Sequence, residues 1–336
     1  MIREYLKLAR SFNAVLTGIS PVMGAIAMGQ YDIVMLFILF LIGFFGHSFG
    51  FVFNDIIDYN LDKTSTEISD RPLISGTISL RKAWVFAFLC MFLAFSIAFI
   101  IAYQSLIFYP IVILAVSASF IIIYDLISKK LPFMDILVAI GIFFFILYGA
   151  STQVNSLSEI TVLTWIVCVL GSIQVLFMQI VAGGLKDIEN DYQSGAKTAA
   201  VRLGARVIEK KLHVPFSFQL VAFGIQIINI ILVFFPFFIL KDFSSNMIIR
   251  LFQWIMLFII SGLMLILSYR LMNMDVFIRK KARIYIGSHY MINFALVPIM
   301  LMAVNPWSGI LVFFPALGFL LSNLILHGTL LQPKTM

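Results

Sequence analysis

The sequence predicts an all-α protein, a polytopic transmembrane bundle of about nine or ten helices. Three observations carry that expectation. Of 336 residues, 62% are hydrophobic and only 12% charged, whereas soluble domains hold roughly 45–50% apolar and about 25% charged residues. The mean hydropathy is +1.05. The apolar residues also fall into runs bounded by short polar turns, and each run is about as long as the ~20 residues a helix needs to cross a bilayer.

The runs lie at 12–29, 33–53, 84–103, 106–127, 134–152, 161–183, 214–240, 247–269, 284–304 and 309–327. The last is short and contains Pro315, so nine spans with a re-entrant or interfacial final segment is the alternative count. Met1 to Arg10 carries charges of both signs and runs into the first span without a small-residue cleavage pattern, which reads as a retained helix and not a signal peptide. Cys90 and Cys168 sit inside apolar runs with no spacing partner, so neither a disulfide nor a cysteine metal site is expected. No linker or low-complexity tract interrupts the chain, and a single transmembrane domain over 1–336 is expected.

Charge placement sets the expected orientation. If successive runs cross the membrane, the N-terminal tail, 54–83, 128–133, 184–213, 270–283 and the C-terminal tail share one side and hold 21 of the 23 Lys and Arg residues. The other side holds only Lys241 and Arg250. By the positive-inside rule both termini and these loops are cytoplasmic in a multi-pass protein of the cell membrane. The formal charge of +7 is thus spread between spans and not along one soluble face, which excludes a nucleic-acid partner. Arg279, Lys280, Lys281 and Arg283 read as a topology determinant or an anionic-lipid contact.

Two loops on that side hold nine of the 16 acids. The second run ends in Asn54-Asp55-Ile56-Ile57-Asp58-Tyr59-Asn60-Leu61-Asp62, followed by Asp70-Arg71-Pro72-Leu73-Ile74-Ser75-Gly76. The sixth ends in Lys186-Asp187-Ile188-Glu189-Asn190-Asp191, followed by Gly195-Ala196-Lys197-Thr198. Asn54, Asp58 and Asp62 are spaced by four, as are Asp187 and Asp191, so on a helix each set lies along one face. Carboxylates stacked a turn apart repel, and a divalent cation relieves that repulsion. Mg²⁺ favours a few carboxylates plus water and phosphate oxygens. The expected ligand is therefore Mg²⁺ bridging to a diphosphate, with Arg71, Lys129, Lys186 and Lys197 neutralising the remaining charge.

The first pattern, with Arg71-Pro72-Leu73 and Ser75-Gly76, resembles the first signature of the UbiA superfamily of intramembrane prenyltransferases. Asp187-x-x-x-Asp191 with Gly195, Lys197-Thr198 and Val201-Arg202-Leu203-Gly204 resembles the second, and Tyr124 to Lys130 a shorter third. Arg10-Ser11-Phe12-Asn13 is similar to the entry of the family's first helix. The likeness covers about 5–210. It implies a bundle around a central cavity capped by two acidic loops, with Asp58, Asp62, Asp187 and Asp191 holding Mg²⁺ and Asn54 assisting. It also implies Asn13, Arg71 and Lys129 near the diphosphate. The family usually has nine helices, and Lys129 stands five residues after Tyr124 where some members have four.

The implied reaction is transfer of a prenyl group from an allylic diphosphate to a lipophilic acceptor, with no protein partner. The acceptor is an aromatic quinone precursor or a glycerol-phosphate ether lipid. Tyr124 serves to stabilise the allylic cation, to orient a phosphate, or as an interfacial anchor. His47 reads as a helix-to-helix hydrogen-bonding residue, and Asp125 and Asp135 as balancing the Lys129-Lys130 pair. Two rival classes compete with this reading. A transporter is disfavoured because mid-span regions are almost free of charge. Another metal-dependent lipid transferase, using a nucleotide-activated donor, would need a single compact Asp-rich run that this sequence lacks.

Overall fold

The computed structural model describes residues 1–63, 69–128, 130–241 and 243–330, apart from the side chains of Leu61 and Ser194. In chain order the helices are α1 (Ile2–Leu8), α2 (Ser11–Ala27), α3 (Ile33–Ile57), α4 (Tyr59–Asp62), α5 (Leu80–Ser105), α6 (Tyr109–Ile127), α7 (Asp135–Ser151) and α8 (Val162–Phe177). A π-helical segment, Met178–Gly183, leads to α9 (Gly184–Lys186), α10 (Ile188–Ser194) and α11 (Ala199–Arg202). Strands β1 (Arg206–Ile208) and β2 (Lys211–His213) follow, then α12 (Phe216–Phe234), α13 (Pro236–Ile239), α14 (Met247–Met272), α15 (Arg279–Leu301) and α16 (Phe313–His327).

Among the described residues eight helices are long and apolar enough to cross a membrane. Two further apolar helices, Ser11–Ala27 and Asp135–Ser151, have 17 residues each. The protein is a multi-pass helical membrane protein. Several of its helix starts are set by side-chain caps that satisfy otherwise orphaned N–H groups. Asp32 accepts from the Val34 amide at 2.9 Å, Thr161 from Thr164 at 3.2 Å, and Asn246 from both Ile248 and Ile249. Among the described residues the all-α expectation has one small exception, the antiparallel β1–β2 hairpin. Glu209 and Lys210 both have positive φ, 48° and 62°, which is the twist a two-residue hairpin requires.

The chain forms two compact units: Met1–Leu126 with Phe144–Ile160 and Phe313–Met336, and Ile127–Phe143 with Thr161–Val312. In the first, α3 packs against α2 and α5. The buried face of α5 is a small-residue stripe of Ala83, Ala87, Cys90, Ala94, Ala98 and Ala102, whereas Val85, Phe88, Leu89, Phe92 and Phe99 are exposed. Small residues inside and large ones outside is membrane packing, where close backbone approach replaces hydrophobic sorting. The closest approach joins α2 to the second half of α7. A Cβ on Gly24 would stand 2.0 Å from the Ile146 carbonyl oxygen, and one on Gly149 1.8 Å from that of Pro21.

In the second unit, neutral polar side chains stitch the helices. Asn229 (α12) donates to Asn293 (α15) at 2.9 Å, Asn293 donates to the Gln174 carbonyl of α8 at 3.3 Å, and all three residues are buried. Gln253 of α14 donates to the carbonyls of Ile299 and Met300 at 2.8 and 2.9 Å.

Gly149→Val is expected to lower stability in detergent by at least the roughly 1–3 kcal/mol typical of overpacking. Gly224→Ala, at a site with nothing within 4 Å of the added carbon, is the control. Equal melting temperatures for the two variants would show that the α2–α7 contact does not constrain the fold.

Candidate functional site

The four-residue spacing of the first acidic segment is realised as continuous helical hydrogen bonding. The Asp58 amide donates to the Asn54 carbonyl at 2.9 Å and the Asp62 amide to the Asp58 carbonyl at 2.8 Å. Asn54, Asp58 and Asp62 therefore follow one helical track from the end of α3 through α4. The second segment repeats the device, with the Asp187 amide on the Gly183 carbonyl at 3.2 Å and the Asp191 amide on Asp187 at 2.9 Å. It follows the π-helical segment; such bulges recur at functional sites because they re-aim the residues that follow. Gly195, at φ 71°, ends α10 in the left-handed conformation.

In the first unit the acids are compensated by an alternating chain of charges. Arg10 Nη2 lies 2.6 Å from Asp55 Oδ1, Arg71 Nη1 3.5 Å from the same oxygen, and Arg71 Nη1 2.6 Å from Asp62 Oδ2. These side chains are mostly buried, with Asp55 at 6% and Asp62 at 11% exposure, so the pairs are screened little by water. Each arginine is placed by local structure. Arg10 caps α2 in the left-handed region (φ 47°), a conformation costly for a residue with a Cβ, and its guanidinium lies 4.8 Å over the Phe51 ring. Arg71 opens a turn in which the Ser75 amide bonds its carbonyl and the Ile78 amide bonds that of Pro72. Leu73 and Ile78 plug that turn into the apolar cluster of Val52, Phe53, Ile56 and Ala83. The Arg-Pro-Leu signature thus pairs a charge with the apolar anchor that aims it.

Other predicted residues fall as follows. Asn13 is buried on α2, three residues after Arg10. Tyr124 is half-buried near the end of α6. The residue after it, Asp125, is buried, and its Oδ1 accepts from Asn54 Nδ2 at 3.0 Å. Asp125 is accordingly tied to the first acidic segment. In the second unit Lys186 Nζ stands 3.1 Å from Asp187 Oδ2, while Lys197 is exposed. Lys129 lies outside the described residues. His47 Nδ1 bonds Thr17 Oγ1 of α2 at 2.8 Å, the helix-to-helix contact expected of it.

Four residues outside the predicted site set lie against it or its partners: Asp55 beside Arg71, Arg10 on Asp55, Asp125 on Asn54 and Arg279 on Asp187. Arg279 Nη2 sits 2.6 Å from Asp187 Oδ1, so the first residue of α15 is an acid partner as well as part of a basic run. The hairpin supports this end of α15, because the Phe277 amide donates to the Lys210 carbonyl at 2.7 Å.

The donor set fits Mg²⁺. Among the described residues no three acidic, His or Cys side chains form a closed metal cluster, and Mg²⁺ does not need one, since it takes one or two carboxylates and completes its shell with water and phosphate. The first segment offers the Asp58 carboxylate and the Asn54 amide. Beside them Asp125 Oδ2 is buried without a hydrogen-bond partner among the described residues. Positive charge is what that oxygen requires.

Asp55→Ala, which leaves Arg10 without its 2.6 Å partner, is expected to cost about 3–5 kcal/mol of stability. Glu4→Gln, which opens the more exposed Lys7 pair, is expected to cost no more than about 0.5 kcal/mol. Thermal unfolding of the two variants in detergent compares them directly, and a similar small loss in both would remove Asp55 from its structural role.

The sequence profile of the UbiA prenyltransferase family matches residues 14–275. The chain is 26% identical over 253 residues to the digeranylgeranylglyceryl phosphate synthase of Saccharolobus solfataricus, covering 71% of this chain and 86% of that one. To the digeranylgeranylglyceryl phosphate synthase of Pyrococcus horikoshii it is 25% identical over 210 residues, covering 61% and 70%. Among solved structures, a UbiA homolog from Aeropyrum pernix K1 aligns with a TM-score of 0.63 at 14% identity, covering 88% of this chain and 97% of that one. A UbiA homolog from Archaeoglobus fulgidus, bound to GPP and Mg²⁺, aligns at 0.59 with 17% identity, covering 88% and 99%. At such identities the structures speak for the fold, and the profile match over most of the chain speaks for descent: this chain belongs to the UbiA prenyltransferase family.

Proposed function

We propose that the protein transfers a prenyl group from an allylic diphosphate to a hydroxyl of a glycerol-phosphate ether lipid, with Mg²⁺ as cofactor. The observation that carries the reading is the pair of helical acid tracks, Asn54-Asp58-Asp62 and Asp187-Asp191, each set beside basic side chains. Asp58, Asp62, Asp187 and Asp191 are assigned to the metal with Asn54 in support. When bound there, the cation stabilises the negative charge that develops on the departing diphosphate. Asn13, Arg71, Lys129, Lys186 and Lys197 are assigned to the diphosphate, where guanidinium and ammonium groups offer charge-assisted hydrogen bonds. Tyr124 is assigned to the allylic cation.

In the transfer, the carbon–oxygen bond to diphosphate breaks and a new carbon–oxygen bond forms to the acceptor. The acceptor hydroxyl gives up its proton, and diphosphate leaves. The ether-lipid acceptor is favoured over an aromatic ring by the names of the relatives, which are digeranylgeranylglyceryl phosphate synthases. Both segments lie at helix ends, which suits a substrate with a hydrated head and an apolar tail.

Membranes given Mg²⁺, radiolabelled prenyl diphosphates of several lengths and either a monoalkyl glyceryl phosphate or a hydroxybenzoate acceptor test the reading. Product is expected from the ether lipid alone, and Asp58→Asn and Asp187→Asn are each expected to abolish it with expression intact. Label moving to the aromatic acceptor would replace the lipid assignment, and near-normal turnover in either variant would overturn the metal assignment.

The distribution of basic residues assigns the termini and acidic segments to the cytoplasmic side. Lys63→Cys, at an exposed position, is expected to react with a membrane-impermeant thiol reagent only in inside-out vesicles, and Tyr31→Cys only in right-side-out ones. The reverse pattern would invert the topology.

A further inference from the structure

We propose that Asp125 is a positioning residue of the metal site, which orients Asn54 toward the cation and adds its own charge to the site. The proposal rests on the Mg²⁺ reading of the first acidic segment and goes beyond it to a residue outside the two acid tracks. Its basis is the contact between α6 and α3 inside one unit, where Asn54 Nδ2 donates to Asp125 Oδ1 at 3.0 Å. An ionised carboxylate only accepts hydrogen bonds. An asparagine beside it must turn its NH₂ group that way, and its planar amide then presents the carbonyl oxygen on the other side. The carbonyl is the end that a hard cation takes. Asp125 thereby fixes an amide orientation that would otherwise be free to flip.

Its second oxygen argues for more than a local brace. Asp125 is 6% exposed, and Oδ2 is buried without a hydrogen-bond partner among the described residues. Arg10, a cation of the same unit, is engaged by Asp55 at 2.6 Å. An acid brought into such surroundings only to hold a helix would be costly; a divalent cation supplies the missing compensation. Outer carboxylates that orient metal ligands typically change metal affinity by about 10- to 100-fold when removed.

The test is Mn²⁺ binding to the purified full-length protein in nanodiscs, read by electron paramagnetic resonance with and without inorganic diphosphate. Asp125→Asn is expected to weaken Mn²⁺ binding by about 10- to 100-fold. It should also melt no lower than wild type in the absence of metal, because it removes a like charge. Asp125→Ser serves the same comparison if the amide fails to fold, and Asp125→Glu should restore much of the affinity. The Asn54→Ala/Asp125→Asn double variant is expected to bind about as weakly as Asn54→Ala alone. Wild-type affinity in the neutral variants, a metal-free loss of stability with unchanged affinity, or additive losses in the double variant would each overturn the proposal while leaving the metal reading intact. Absence of Mn²⁺ binding by the wild type under both conditions would instead reject the metal reading itself.

Discussion

A carboxylate at the end of an apolar helix has little water to draw on, and a second one a turn away makes its position worse. In the first unit the answer is an alternating chain, Arg10 to Asp55 to Arg71 to Asp62, with closest approaches of 2.6 Å at both ends. In the second, Asp187 stands between Lys186 and Arg279. Much of the irregular structure around the two segments follows from delivering those cations. The left-handed start of α2 points Arg10 at α3, Leu73 and Ile78 pin the turn that carries Arg71, and the β1–β2 hairpin holds the chain just before Arg279.

The same constraint separates stability from chemistry. Asp55 sits off the Asn54-Asp58-Asp62 track and takes both arginines, so it serves the scaffold. Asp58 is on the track and half-buried. Arg71 bridges the two sets, touching the scaffold acid at 3.5 Å and the track acid Asp62 at 2.6 Å. A guanidinium shared in this way keeps Asp62 neutralised, and its planar fork of five donors is compatible with the phosphate role proposed for it.

What was legible in the sequence was what is local. The four-residue spacing needs only helical continuity, and the backbone supplies it at both segments. The apolar runs needed only length. What was not legible depends on partners distant along the chain. Asp55 and Arg10 are 45 residues apart, Asn54 and Asp125 are 71, and Asp187 and Arg279 are 92. Sequence proximity offers nearer partners, the neighbouring lysines for Asp125 and its own basic run for Arg279. The hairpin escaped because Glu209-Lys210 occupies positions where Asn-Gly is the recognisable signal. Gln174, Asn229 and Asn293 did leave a trace: isolated amides inside long apolar runs, which in a membrane imply a partner on another helix.

Those amides also distinguish an enzyme from a carrier. An ion-coupled transporter needs ionisable groups or broken backbone near mid-membrane to bind and release its ion. The buried seam of the second unit contains amides, hydroxyls and one imidazole, with Ser268 Oγ 3.3 Å from His289 Nε2 and 3.4 Å from Gln226 Nε2. These groups bond chiefly to one another and to carbonyls, as structural glue does, and among the described residues no Asp, Glu, Lys or Arg joins them. The ion pairs of the two acidic segments stand where α3 and the helix continuing from α8 emerge from their apolar stretches. A substrate served there needs a charged head and a long apolar tail, and an allylic prenyl diphosphate has both.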